Sequence, residues 1–211
     1  GVNRADRILI DYLGADDTDY TKEVTKRWLI AAISRVMRPG CKFDYMPVIS
    51  GPGGIGKSML VGVLGGEWFS DNLSFDDMRD KTAAEKIQGT WINEIGELKG
   101  MRKMEVESIK SFVSRQEDIY RPAYGRRVEH VQRGCVFIGT SNADDYLKDI
   151  TGNRRFWPIE VSGKSKLKPW DITEDVRAQI WAEAWYYYDV LDDTDLILGA
   201  ELEAIAAEKQ I

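Results

Sequence analysis

Gly51-Pro52-Gly53-Gly54-Ile55-Gly56-Lys57-Ser58 is a complete G-x-x-x-x-G-K-S phosphate-binding loop, and its surroundings decide the fold. Glycines at these positions let main-chain N–H groups turn inward around phosphate oxygens, where side chains would obstruct them. The loop follows Tyr45-Met46-Pro47-Val48-Ile49-Ser50, a short apolar run suited to a buried strand. It leads into Ser58-Met59-Leu60-Val61-Gly62-Val63-Leu64, the start of a helix that closes near Gly65-Gly66. The first amides of a helix are unpaired and its dipole favours negative charge, so this order of elements makes an anion site. The expected cradle is Gly53, Gly54, Ile55, Gly56, Lys57, Ser58 and Met59, and the expected cofactors are ATP and Mg²⁺. Lys57 would supply a point charge to the β- and γ-phosphates, and the Ser58 hydroxyl a ligand for Mg²⁺.

Strands alternate with helices on either side of the loop. A helix is expected from Thr21, with Val24, Trp28, Leu29, Ala32, Ile33, Val36 and Met37 at helical spacing and Pro39-Gly40 at its end. Thr82 to Gln88 reads as a short helix and Trp91 to Ile95 as a second strand. A helix over roughly 103–114 follows, then a hairpin over 119–131 with its turn near Gly125, and a buried strand from Cys135 to Asn142. A short helix is expected after Asn142, a last strand over Phe156–Val161, and a helix opened by the capping pair Asp171 and Glu174. Residues 1–18 show no periodicity. The pattern predicts an α/β fold: a P-loop NTPase whose mostly parallel central sheet is flanked by helices. It divides into an N-terminal helical segment (1–45), a P-loop core (46–165) and an acidic C-terminal helical segment (166–211).

The 211 residues carry a net charge of −6, unevenly spread. Asp171 to Ile211 holds eleven acids against two bases, whereas Lys99 to Arg133 holds nine bases against five acids. A basic middle within an acidic chain suits a polyanionic partner. Cys41 and Cys135 lack ligand spacing, and no run of about 18 apolar residues exists to span a membrane. A cytoplasmic protein is expected. Beginning at Gly1, the sequence reads as an excised piece of something longer.

Hydrolysis also needs a carboxylate at the end of a nearby strand to hold Mg²⁺ or orient water. Glu94 and Glu97 are the candidates, with Glu97, just past the second strand, favoured for the metal. Asn142 ends the third apolar strand, where an amide can bond both a γ-phosphate oxygen and a water; a turn-forming asparagine is the plainer reading. Arg154 and Arg155 precede the last strand, as an arginine finger offered to a neighbouring subunit or as a salt bridge to the acidic C-terminal segment. Arg121, Arg126 and Arg127, interleaved with Tyr120 and Tyr124, offer charge and stacking to single-stranded nucleic acid, though an ordinary solvated hairpin would read similarly. Arg121, Tyr124, Arg126 and Arg127 are the candidate DNA contacts.

These pieces, in this order, resemble the virulence-associated E protein family of phage and mobile-element P-loop ATPases, related to superfamily 3 helicases. The resemblance covers residues 21–190, including Trp91 to Leu98, Tyr120 to Arg127, Ile138 to Asn142 and Thr151 to Pro158. It implies an AAA+/superfamily 3 helicase-like core and Lys57 and Ser58 on phosphate and Mg²⁺. It further implies Glu97 as strand-end acid, Asn142 as sensor, Arg154 as the better finger, a DNA-contacting hairpin and assembly into a homo-oligomeric, hexameric ring. The expected activity is a DNA-dependent, helicase-like ATPase acting in replication of a mobile element. One departure stands out. The second strand lacks adjacent acids at its end and spaces them as Glu94 and Glu97, which leaves open which one serves Mg²⁺. Two other classes compete: a small P-loop kinase, for which no acceptor pocket or lid is evident, and a nucleotide-dependent loader or interaction module with little turnover.

Overall fold

The computed structural model describes residues 3–96, 98, 103–123, 125–142 and 154–210. Five parallel strands form the central sheet: β1 (Met46–Ser50), β2 (Phe69–Ser70), β3 (Ile92–Ile95), β6 (Val136–Ser141) and β7 (Phe156–Glu160), in the spatial order β2-β3-β6-β1-β7. Strands β4 (Glu117–Tyr120) and β5 (Glu129–Gln132) form a separate antiparallel hairpin. The helices are α1 (Ile8–Leu13), α2 (Asp19–Met37), α3 (Lys57–Gly65), α4 (Thr82–Lys86), α5 (Lys103–Val113), α6 (Glu174–Trp185) and α7 (Ala200–Glu208). The expected α/β fold with a parallel sheet flanked by helices is the one observed.

Residues alternate between two cores, as the two-residue period of a strand requires. Ile49, Val136, Ile138, Trp157 and Ile159 face α1, α2 and α3, while Met46, Val48, Phe137 and Phe156 face α4 and α5. On β3 the same alternation sends Ile92 to the first core and Ile95 to the second. Glu94, two residues after Ile92, therefore shares the α3 side of the sheet. Strands buried on both faces read as unbroken apolar runs, which is why β1 and β6 stood out in the sequence.

The long helix α2 starts two residues earlier than its apolar spacing suggests. Thr18 caps it, accepting a hydrogen bond from the Thr21 N–H at 3.2 Å, so the turn before Thr21 is already helical. Val24, Trp28, Leu29, Ala32 and Ile33 are buried as expected, but Val36 and Met37 are exposed. Two indole N–H groups hold helix to sheet: Trp28 donates to Phe137 O at 2.9 Å and Trp91 to Ala32 O at 2.8 Å.

Two local readings are corrected, and one short strand is added. The cap of α6 is Thr173, which accepts from the Val176 N–H at 3.3 Å; Asp171 belongs to a separate 3-10 turn over Pro169–Asp171. Helix α1 arises within residues 1–18. The two-residue strand β2 adds to the sheet edge beside β3, too short to leave an alternation pattern. The short helix expected after Asn142 lies outside the described residues.

Candidate nucleotide site

All five strands are parallel, so their carboxyl ends open on one side, where ligands bind in open α/β sheets. The loop over 51–56 leaves the end of β1 there and enters α3. Gly56 sits at the N-cap with φ +93°, and the Pro169 ring lies 2.9 Å from where a Cβ would stand. Any larger residue would be both strained and in collision, so the glycine fixes how closely the chain beyond β7 approaches the loop.

Four predicted residues converge in a cleft of about 560 Å³ lined by Lys57, Ser58, Glu94, Thr140, Ser141 and Asn142, together with Asp71, Ser74 and Phe75. The Lys57 ammonium donates to Gly51 O at 2.8 Å, Pro52 O at 2.7 Å and Asn142 Oδ1 at 2.9 Å. Burial pushes it below the usual lysine range, and the nearby Glu94 carboxylate pulls it partly back. The Ser58 hydroxyl donates to Glu94 Oε1 at 2.6 Å, and Thr140 donates to the same oxygen. Glu94 is only 3% exposed, and its Oε2 is buried with no hydrogen-bond partner. A buried carboxylate oxygen left unpaired costs free energy unless something else meets it.

That donor set fits a hard cation. Mg²⁺ takes oxygen ligands from one or two carboxylates and from substrate phosphates, keeping several waters. Among the described residues no group of three or more His, Cys, Asp or Glu is placed to hold a metal ion. Ser58 and Glu94 are the pair that geometry brings together. Glu97, the acid favoured from sequence, lies outside the described residues, as does Tyr124.

The remaining candidates lie apart from the cleft. Arg154 and Arg155 precede β7 and Phe156 pairs with Met46, the first residue of β1; the Met46 N–H donates to Arg155 O at 2.8 Å. They therefore stand at the opposite end of the sheet from the phosphate loop, about 17 Å away for a five-residue strand. Neither is ion-paired to the acidic C-terminal segment among the described residues. Arg121, Arg126 and Arg127 are exposed on the connection between β4 and β5. This hairpin has a buried foundation that the sequence reading missed. Arg133 donates to both oxygens of Asp118 at 2.7 Å and to Phe112 O at 2.8 Å, its guanidinium lying over the Phe112 ring. Thr140 was also missed. Its signal was its place two residues before Asn142 on a strand neighbouring β3.

The whole chain, residues 1–211, matches the virulence-associated protein E-like domain. It belongs to that family. No curated protein matches the chain. Among solved structures, the apo structure of the NrS-1 C-terminal region (305–718) is similar, with TM-score 0.57, 17% identity, and coverage of 98% of this chain and 51% of that one. An A-form apo structure of the same region gives TM-score 0.53 and 18% identity, covering 92% of this chain and 48% of that one. At such identities the likeness is one of fold. This virulence-associated E-like domain spans about half the length of the structures it matches. Among its described residues no helix is long and apolar enough to cross a membrane.

Proposed function

We infer that this virulence-associated E-like domain is an ATP-hydrolysing, DNA-dependent motor of the helicase type, serving replication of a phage or mobile element. The observation that carries the reading is the meeting of Lys57, Ser58, Glu94 and Asn142 at the mouth of one phosphate loop, drawn from three strand ends. A phosphate cradle alone binds; a cradle with a buried acid and a strand-end amide is equipped to turn over. Lys57 would exchange its three present oxygen acceptors for phosphate oxygens. Ser58 and Glu94 would hold Mg²⁺, which when bound draws charge from the phosphoryl group. Asn142 would report the γ-phosphate to β6, whose other end leads back to the basic hairpin. The family resemblance supports DNA as the polyanion and a ring of like subunits as the working assembly.

The test is ATP turnover with and without single-stranded DNA, taken alongside molar mass in solution. Stimulated phosphate release by an oligomer is the expected result. ATP-responsive DNA binding with negligible turnover would instead favour a loader module.

A further inference from the structure

The proposed ATP site leaves the nucleobase without a partner, and the surroundings of α3 supply one. Two flanks of this helix can be told apart by what their residues meet. On one, Ser58 bonds Glu94, a Cβ on Gly62 would meet the Phe69 ring at 3.5 Å, and one on Gly65 would meet Phe69 and Ile92. That flank faces β2 and β3, the side of the acid and the metal ligand. On the other, Gly56 meets Pro169, and a Cβ on Gly66 would lie 2.5 Å from the Arg177 guanidinium. That flank faces the segment from Pro169 into α6. Met59 and Val63 each come one residue after Ser58 and Gly62 of the first flank, about 100° further round α3.

A triphosphate has a direction on such a loop. Its γ-end belongs with Lys57, Glu94 and Asn142, and its α-end lies over the first amides of α3. The nucleoside then departs on the flank away from β3. There the turn Pro169–Asp171 presents Trp170, 57% exposed, and the helix presents Met59, 48% exposed. The turn is fixed at several points. Asp171 accepts from the Lys168 N–H at 3.1 Å, the Asp171 N–H returns to Lys168 O at 2.9 Å, and Lys168 Nζ donates to Gly163 O at 2.7 Å. Pro169 rests on Gly56. A tryptophan on a pinned turn loses little freedom when it stacks, and every base offers a π-face.

The geometry points to Trp170 as a base-stacking residue for the nucleotide held by the phosphate loop, with Met59 the apolar floor of the same subsite. This rests on the nucleotide-site reading above. It implies a site that grips any planar base and discriminates weakly among ATP, GTP and CTP, since stacking carries no hydrogen-bond code.

The test compares ATP with inorganic tripolyphosphate, which has the phosphates and no base, by calorimetric titration of the wild type, W170A, W170F and K57A. For ATP, W170A should bind about tenfold or more weakly while W170F stays near wild type. For tripolyphosphate, W170A should match wild type and K57A should lose binding. Equal ATP affinity in wild type and W170A overturns the assignment of Trp170 and leaves the phosphate-loop reading intact. Failure of the wild type to bind either ligand overturns both. Trp170 is exposed on a surface turn, so circular dichroism of W170A should be unchanged, and a weakened titration then reports binding, not folding.

Discussion

At the scale of single residues, the cleft is a set of polar groups each held by another. Glu94 Oε1 takes two hydroxyl donors, Ser58 from α3 and Thr140 from β6, while Oε2 has none. Such a carboxylate is oriented before anything binds, and orientation fixed in advance is where electrostatic catalysis draws its strength. Lys57→Ala should abolish ATP binding and turnover with an unchanged circular dichroism spectrum. Glu94→Gln should keep nucleotide binding and lower turnover by about a hundredfold or more, in the range expected for losing a positioned acid or base. Glu97→Gln, assayed beside it, decides between the two acids: a loss confined to Glu97→Gln would return the metal role to the residue the sequence favoured. The thiols give a check on burial. Desolvation in the core pushes Cys135 up to about 11, so at pH 8 about one in a thousand molecules carries its thiolate. A disulfide reagent should therefore titrate the half-buried Cys41 in the native protein and Cys135 only after unfolding.

At the scale of elements, the hairpin is a basic, exposed loop on a buried ionic anchor. The Arg133 and Asp118 side chains are 0% and 2% exposed and make two 2.7 Å bonds to each other. Removing one partner of such a pair strands the other charge, at a cost of about 3–5 kcal/mol, while replacing both with apolar residues can be near neutral. Arg133→Met should lower the unfolding free energy in urea by about that amount, and pairing it with Asp118→Leu should recover most of the loss. Arg126→Ala with Arg127→Ala, at exposed positions, should leave stability within about 0.5 kcal/mol and reduce only the stimulation of turnover by DNA. Wild-type DNA stimulation in that double variant would remove the hairpin from the DNA path. The same element marks where sequence reading ends. The helix α2 was legible because one-sided burial writes a helical period into the chain, and β1, β6 and β7 because burial on both faces leaves unbroken apolar runs. Arg133 was not, because a buried arginine looks like any other arginine until Asp118, fifteen residues earlier, is seen opposite it. Glu94 was legible as an acid near a strand, but its contact with Ser58 depends on β3 lying one strand removed from β1. The cap at Thr173 and the turn carrying Trp170 were hidden for a different reason. Their meaning lies in what a 3-10 turn touches, and Gly56 is more than a hundred residues away.

At the scale of the whole molecule, the candidate residues divide between the two ends of the sheet. The carboxyl ends of β1, β3 and β6 carry the phosphate loop, Glu94 and Asn142. The amino end of β7 carries Arg154 and Arg155, and Arg133, just before β6, roots the hairpin at that same end. Neither arginine at β7 can reach the chain's own phosphates across the length of the sheet, so if either stabilises the transferring phosphoryl group it does so in a second copy. Self-association then becomes a requirement for turnover and not an embellishment. Specific activity should rise with protein concentration until assembly saturates. Arg154→Ala with Arg155→Ala should lower turnover about a thousandfold, the lower range for losing an arginine finger, while ATP binding persists. The decisive measurement mixes two inactive proteins. Lys57→Ala has a dead nucleotide site and intact arginines; the double arginine variant has the reverse. In mixed assemblies some intact sites face intact arginines, so an equimolar mixture should recover a sizeable fraction of wild-type turnover. A mixture as inactive as its parts, with molar mass confirming that the two proteins co-assemble, would show that these arginines serve no neighbouring site and would confine them to a structural role beside β7.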